Sequence, residues 1–231
     1  MFMGCCRIST KNANFAVMKT HKVLEPVFND LGLVEAGCDE AGRGCLAGSV
    51  YAGAVIFPPD YRNERLNDSK QLTAKQRYAL REEIQRDALA WGIGVVTPEE
   101  IDKINILRAS ITAMHRALDS LAIRPGFIIV DGNKFFNYGD TPWQTVVKGD
   151  GKYLSIAAAS ILAKTYRDDY MAQLHEEYPY YGWDHNAGYP TKAHRDGIRK
   201  HGISPYHRKS YNLLGDGQLE LFPDVAFSDE K

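Results

Sequence analysis

Five short apolar segments constrain the fold of this chain more than any other feature. They are rich in Gly, Val and Ala, and they cover residues 33–40, 49–57, 91–96, 127–133 and 144–150. Segments of this length and composition are typical of buried strands. Helical patterns lie between them, and strands that alternate with helices favour an α/β fold with a mixed sheet.

Capping patterns and apolar periodicity place the helices. Thr73 begins one helix and Thr97 another, because each is followed three residues later by the Gln or Glu of a capping box. After Thr97 an apolar stripe at spacings of three and four runs to Leu121 and predicts one long helix. A further helix is predicted over 155–178, and the small residues in its first half would let a neighbour approach closely.

The charge is unevenly distributed along the chain, although the formal net charge is only -1. Residues 212–231 carry -4, which leaves a mildly basic body that can hold nucleic acid through a local patch. We therefore expect a flexible tail over 1–20, a body over 21–211 and an acidic, flexible tail over 212–231. The chain has no membrane-spanning apolar run and no signal peptide, which predicts a cytoplasmic protein, and nothing requires more than a monomer.

Carboxylates stand where apolar strands end. Asp39 and Glu40 close the first predicted strand, and Asp131 closes the fourth. A buried strand end is a costly place for charge unless a cation neutralises it. Converging carboxylates form the hard oxygen site that Mg²⁺ or Mn²⁺ prefers. One such acid alone would be better explained as a loop cap, but acids at two strand ends favour the metal site.

A fourth acid is expected on the helix predicted over 155–178. Ser160, Lys164 and Asp168 follow one another at intervals of four and share a polar face, whereas Asp169 lies roughly 100° away. We therefore expect Asp168 to complete the set, with a surface ion pair to Lys164 as the alternative. Two metal ions held by such acids hydrolyse phosphodiesters, so the acids and the basic body together indicate a nuclease.

Two glycines flank an arginine directly after the first acids. Gly42 and Gly44 let the backbone approach a ligand closely, and the guanidinium of Arg43 can hold a phosphate. The segment is neither a dinucleotide fingerprint nor a P-loop, because it lacks both the GxGxxG spacing and the GK[ST] ending.

Six motifs together resemble ribonuclease HII, the type 2 ribonuclease H family. They are DEAGRG at 39–44, NDSK at 67–70, VDGN at 130–133, AAASILAK with RD at 157–168, GYPTKAH at 188–194 and PYHRKSY at 205–211. The resemblance covers about residues 33–211. It implies a ribonuclease H-like fold, in which helices flank a five-stranded mixed sheet and a helical extension follows at the C-terminus.

The resemblance also implies roles for individual residues. It implies that four catalytic acids bind two divalent ions, either Mg²⁺ or Mn²⁺: Asp39, Glu40, Asp131 and Asp168. It implies that the backbone around Gly42, Arg43 and Gly44 reads the ribose 2′-hydroxyl, which alone distinguishes RNA from DNA at one nucleotide.

Three further substrate-binding residues follow from the resemblance. Tyr189 matches the family tyrosine that stacks on the sugar of the deoxynucleotide after the ribonucleotide. Lys70 and Lys164 match positions that contact phosphates or orient carboxylates. For any one tyrosine or lysine, core packing or solvation is the alternative interpretation, and only the surrounding motif favours a function.

The implied activity is endonucleolytic. The protein is expected to hydrolyse the phosphodiester 5′ to a ribonucleotide embedded in duplex DNA and to cut the RNA strand of RNA–DNA hybrids, leaving a 3′-OH and a 5′-phosphate. Two alternatives stay open. Another nuclease of this fold, such as a junction resolvase, would ignore the 2′-hydroxyl and need branched DNA. A non-catalytic nucleic-acid-binding module would bind without cleavage.

Outside these motifs, three groups of residues carry weaker predictions. Five cations are candidates for contacts with backbone phosphates: Arg195, Arg199, Lys200, Arg208 and Lys209. The histidines His185, His194 and His207 do not have the spacing of a zinc site, so core or turn roles are expected. In the tail, Gln218, Leu219, Leu221 and Phe222 resemble the peptide with which bacterial replication proteins dock into the sliding clamp, although they could instead cover the body's own surface.

Overall fold

The computed structural model describes residues 23–215, which are built around a five-stranded mixed sheet. The strands are β1 (Glu35–Ala41), β2 (Val50–Ile56), β3 (Ala90–Val96), β4 (Phe127–Asp131) and β5 (Trp143–Val146). Their order is β3-β2-β1-β4-β5; β1 and β3 are each antiparallel to β2, and β4 is parallel to both β1 and β5. The five predicted strands and the α/β class are confirmed, although the fifth strand ends early and a short 3₁₀ helix follows over Gly149–Gly151.

Helices flank the sheet and form the C-terminal part. They are α1 (Ala74–Asp87), α2 (Pro98–Ile104), α3 (Ile106–Asp119), α4 (Leu154–Glu177), α5 (Trp183–Asn186) and α6 (Lys192–His201). Both predicted capping boxes are present, at Thr73 and at Thr97. No helix in the described part of the chain is long and apolar enough to cross a bilayer.

The prediction of one long helix after Thr97 is wrong, because Asn105 divides it into α2 and α3. Asn105 has a φ of 65°, which ends α2. Its side-chain oxygen then accepts hydrogen bonds from the backbone N–H groups of Leu107 and Arg108, and so caps the start of α3. Asparagine tolerates the left-handed region and is a good cap, whereas the apolar periodicity continues across the break and does not reveal it.

The small residues of α4 allow this helix to lie very close to the sheet. A Cβ added to Gly53 of β2 would lie 2.4 Å from the carbonyl oxygen of Ala159. A Cβ added to Gly37 of β1 would lie 2.4 Å from the carbonyl carbon of Ser155. The close approach predicted for this helix is therefore confirmed, and it carries the following turns of α4 past the ends of the central strands.

A separate apolar cluster joins the C-terminal part to α4. Trp183 and Ile198 are buried in it together with Met171 of α4. Buried beside this cluster are His194 and His207, whose Nε2 atoms lie 3.1 Å apart. Core roles for these two histidines, as the spacing predicted, agree with their burial.

We expect this histidine pair to make folding sensitive to mild acid. Burial and then the neighbouring His194 lower the pKa of His207 to about 3, and burial also lowers the pKa of His194. Below about pH 6.5 the two histidines become protonated in the unfolded chain but stay neutral in the folded chain. The free energy of unfolding therefore falls as the pH drops from about 6.5 towards about 3.

Denaturant unfolding of the wild type and of His207→Gln, at about pH 7 and about pH 5, measures this effect. The wild type should lose more stability between the two pH values than the variant does. Equal losses in both proteins would show that the pair does not contribute.

Candidate active site

The parallel register of β1 and β4 places two of the predicted acids at one end of the sheet. Cys38 pairs with Val130, so Asp39 and Asp131 follow as neighbours. Glu40 comes next in β1, and all three acids line one cleft of about 270 Å³. The expectation that carboxylates from separate strands converge is therefore met by these three residues.

The cleft also collects most of the predicted substrate-binding residues. Besides the three acids, its lining includes Gly42, Arg43, Gly44, Lys70, Lys164 and Tyr189, together with Ser69, Arg77 and Ser160. Among the described acids and substrate-binding residues that the family resemblance implies, Asp168 is the one that is absent from this lining. Arg77 lines the cleft although the sequence interpretation did not single it out.

Negative charge accumulates around Asp39, which is only 5% exposed. Burial raises the pKa of Asp39 well above its ordinary range, and the carboxylates of Glu40 and Asp131 raise it further. Hydrogen bonds from the Ser160 side chain and from the backbone N–H of Glu40 partly oppose this shift. A carboxylate that is buried beside two others is stabilised by a nearby cation, which is the electrostatic setting of a divalent metal site.

Glu40 and Asp131 each have a protein partner. The Oε1 atom of Glu40 accepts a hydrogen bond from Arg43 at 2.9 Å, and Oδ1 of Asp131 accepts one from the backbone N–H of Gly149 at 2.7 Å. Within residues 23–215, no three His, Cys, Asp or Glu side chains form a group that could hold a metal ion as they stand. The donor set itself fits Mg²⁺ or Mn²⁺, since it consists of carboxylate oxygens, and Glu40 would share its oxygens between Arg43 and the ion.

The structure adds one acid that the sequence interpretation missed. Asp150 lies in the 3₁₀ helix after β5 and is only 5% exposed. Burial and then the carboxylate of Asp131 raise the pKa of Asp150, while Lys70, whose Nζ lies 3.4 Å from Oδ2, opposes the shift. Asp150 therefore belongs electrostatically to the acids at the strand ends. Asp150 is the last residue of the fifth predicted apolar segment, 144–150, and an acid at that end is the signal that could have indicated it.

Asp168 has different surroundings. It accepts a hydrogen bond from Lys164 on the previous turn of α4, which is the ion pair considered as its alternative role. In addition to burial, the carboxylate of Asp168 raises the pKa of the Tyr78 and Tyr189 hydroxyls. The carboxylates that raise the pKa of Asp39 are those of Glu40 and Asp131. Asp169 points elsewhere, as the helical spacing predicted, and binds Arg81 of α1.

Two buried arginines support the loop that follows the first acids. Their guanidinium groups donate to backbone carbonyl oxygens: Arg167 to those of Ala47, Ser49 and Ala187, and Arg208 to those of Arg43 and Gly48. The prediction that Arg208 contacts nucleic-acid phosphates is wrong, because its side chain is completely buried and its donors are used inside the protein.

Gly42 must be glycine for two reasons. Its φ is 96°, a conformation that other residues rarely adopt, and an added Cβ would lie 2.1 Å from Nε of Arg167. Gly44 is different, because an added Cβ there would meet only the ring of Tyr189, at 4.0 Å. Tyr189 is 43% exposed, so Gly44 and this ring together border open space beside the acids.

Comparison with known proteins gives the family. The sequence model of the family described as Ribonuclease HII matches residues 36–214. The chain belongs to the ribonuclease HII family. A ribonuclease HII of Bacteroides thetaiotaomicron is 72% identical over 189 residues, which are 82% of this chain and 94% of that protein.

Solved structures agree with this assignment. The crystal structure of ribonuclease H2 from Pyrococcus horikoshii OT3 has a TM-score of 0.66 and 28% identity, and the match covers 78% of this chain and 94% of that one. The structure of Bst-RNase HIII in complex with Mn²⁺ has a TM-score of 0.60 at 17% identity, covers 79% and 68% of the two chains, and shows the shared fold. The ribonuclease H-like fold is thereby confirmed.

Membership of the ribonuclease HII family makes this chain a ribonuclease H-type endonuclease, which is a metal-dependent hydrolase. It disfavours the binding-module and resolvase alternatives. The four tail residues with the clamp-like pattern, Gln218, Leu219, Leu221 and Phe222, lie outside the described residues and beyond the family match.

Proposed function

We propose that this chain cleaves the phosphodiester 5′ to a ribonucleotide embedded in duplex DNA and also cuts the RNA strand of RNA–DNA hybrids, leaving a 3′-OH and a 5′-phosphate. The observation that carries the proposal is a single cleft in which three converging acids border the glycine loop, residues 42–44, and the exposed ring of Tyr189. The acids are suited to metal-dependent hydrolysis of a phosphodiester. The backbone of residues 42–44 and the neighbouring ring of Tyr189 are suited to contact the sugars of the substrate.

The acids are proposed to act as metal ligands. Asp39, Glu40 and Asp131 share the cleft. Asp150 is proposed as the fourth carboxylate, because it is buried and the carboxylate of Asp131 raises its pKa further. Asp168, predicted from the sequence, is the competing fourth ligand. When two divalent ions such as Mg²⁺ or Mn²⁺ are bound, they supply an activated water and stabilise the departing 3′ oxygen. The Mn²⁺ held by Bst-RNase HIII, which has the same fold, supports divalent-ion use.

The substrate contacts are proposed from the walls of the cleft. The backbone from Gly42 to Gly44 reads the 2′-hydroxyl, and the carbonyl oxygen of Arg43 is already fixed by Arg208 and by the hydroxyl of Tyr211. The ring of Tyr189 stacks on the next deoxyribose. Lys70 and Lys164 line the same cleft and are suited to hold phosphates or to orient the carboxylates.

Gly44→Ala is the sharpest test of 2′-hydroxyl recognition. We expect cleavage at a single ribonucleotide to fall by about 10–100-fold, because the methyl group occupies the space that the sugar needs, while the melting temperature stays within about 2 °C of wild type. Gly42→Ala is the contrasting variant, since its φ and its contact with Arg167 make it destabilising. Full activity of Gly44→Ala on the ribonucleotide substrate would contradict the proposed contact.

We further propose that the tail residues Gln218, Leu219, Leu221 and Phe222 dock on a sliding clamp, and that the protein acts as a cytoplasmic monomer. A Gln anchor followed by apolar side chains suits a peptide-binding groove. A binding assay with a synthetic peptide of residues 212–231 tests the docking. Failure to compete with established clamp-binding peptides would remove the idea.

A further inference from the structure

Two buried histidines connect the backbone of Tyr189 to the C-terminal core. Nδ1 of His194 lies 3.0 Å from the carbonyl oxygen of Tyr189. Nε2 of His194 lies 3.0 Å from the indole nitrogen of Trp183 and 3.1 Å from Nε2 of His207. Nδ1 of His207 lies 2.9 Å from the backbone nitrogen of Ser204. These contacts form a continuous chain of hydrogen bonds in the protein interior.

The partners determine which nitrogen of each ring carries its proton. A carbonyl oxygen only accepts, so Nδ1 of His194 must be protonated; an indole N–H only donates, so Nε2 of His194 must be bare. In the same way, the backbone N–H of Ser204 requires a bare Nδ1 on His207. The proton of His207 is then on Nε2, where it is donated to His194. One pair of neutral tautomers places a donor opposite an acceptor in every contact, and the single lone pair on Nε2 of His194 is shared between the donors of Trp183 and His207.

The hydrogen-bond chain ends on the main chain of Tyr189, beside the cleft. The carbonyl oxygen of Tyr189 also accepts from the N–H of Thr191, and its own N–H donates to the carbonyl oxygen of Asn186, both at 2.8 Å. The ring of Tyr189 is partly exposed and borders the cleft, whereas His194 is completely buried. The direction of the ring therefore depends on a backbone that His194 holds from inside.

We propose that His194 and His207 are positioning residues for Tyr189, and that they set the preference for a deoxyribose after the cleaved ribonucleotide. This proposal rests on the proposed role of Tyr189. Neither histidine lines the cleft, so neither touches the substrate. His194 donates a hydrogen bond from Nδ1 to the carbonyl oxygen of Tyr189. His207 and Trp183 donate to Nε2 of His194, and they thereby keep the proton of His194 on Nδ1.

Two substitutions of His194 separate positioning from simple packing. Asparagine places an amide N–H near the position of Nδ1, so His194→Asn keeps a donor for Tyr189. Glutamine reaches the position of Nε2, so His194→Gln keeps an acceptor for Trp183 but loses that donor. Both variants should melt at a lower temperature by similar amounts, because each loses one side of the network.

The activity readout is a ratio of kcat/KM values. It compares a DNA duplex that contains one ribonucleotide with a uniform RNA–DNA hybrid. We expect His194→Gln to lower this ratio by about 10-fold, close to the effect of Tyr189→Ala, and His194→Asn to keep it within about 2-fold of wild type. Equal ratios in the two His194 variants, while Tyr189→Ala lowers the ratio, would overturn the proposal.

Nuclear magnetic resonance of the full-length protein gives a readout that does not depend on cleavage. Long-range ¹H–¹⁵N spectra should show His194 protonated on Nδ1 and His207 on Nε2; a proton on Nε2 of His194 would overturn the proposal. If Tyr189→Ala leaves the ratio unchanged, the proposed role of Tyr189 fails instead. In that case the chemical shift of the Tyr189 backbone amide, compared with wild type, is the deciding measurement. A change in His194→Gln alone supports the positioning of Tyr189 by His194, and equal changes in both His194 variants refute it.

Discussion

Asp39→Asn is expected to lower cleavage by at least about 10³-fold and, without divalent ions, to raise the melting temperature. Asparagine keeps the shape of the side chain but removes the charge that a metal ion needs. Because the folded pKa of Asp39 is raised, the wild type loses stability as the pH rises from the unfolded value of 3.8 through the folded pKa. The wild type bears this cost above pH 3.8, and the variant, whose side chain does not titrate, does not.

Steady-state cleavage and thermal melting, each with Mg²⁺, Mn²⁺ or EDTA, measure the two effects. Divalent ions should raise the melting temperature of the wild type but not that of Asp39→Asn. Asp169→Asn is the matched control, because that acid binds Arg81 and Tyr78 away from the cleft. The control should keep its activity and lose some stability. An Asp39→Asn enzyme within about 10-fold of wild-type activity would contradict the role given to this residue.

Asp150→Asn and Asp168→Asn should differ strongly in activity. We expect Asp150→Asn to reduce kcat by at least about 10²-fold, since Asp150 is buried and the carboxylate of Asp131 lies near enough to raise its pKa further. We expect Asp168→Asn to cost less than about 10-fold, because its partner is Lys164 and the pair is partly exposed to solvent.

The pair of variants decides which carboxylate is the fourth ligand. Cleavage rates across a Mg²⁺ titration are the measurement, with melting curves to confirm that both variants fold. The opposite order of activities would restore the sequence prediction of Asp168 and assign Asp150 to a structural ion pair with Lys70.

The strands and three of the acids could be predicted because their patterns are local. Apolar segments of strand length are visible in the sequence, and an acid directly after such a segment marks a strand end. Asp150 was missed for a physical reason. Its place beside Asp131 follows from the parallel pairing of β4 and β5, which brings the ends of these two strands together. The helical spacing within 155–178 predicted Asp168 instead.

Two other errors arise where tertiary structure overrides a local pattern. The apolar stripe from α2 to α3 is continuous, so only the backbone conformation of Asn105 reveals the break. Arg208 lies in a basic segment, and the composition of that segment predicts contacts with nucleic-acid phosphates. It is buried instead, because the loop after β1 presents carbonyl oxygens that its guanidinium satisfies. Such a cluster of carbonyl oxygens has no pattern in the sequence.

The most direct test of the proposed function is cleavage of a DNA duplex that contains one ribonucleotide. The assay uses the full-length protein with Mg²⁺, Mn²⁺ or EDTA, beside an all-DNA duplex of the same sequence. We predict metal-dependent cutting on the 5′ side of the ribonucleotide, with 3′-OH and 5′-phosphate ends and no cutting of the control. No cutting with either metal, or equal cutting of the all-DNA duplex, would contradict the proposed substrate and the role of the glycine loop.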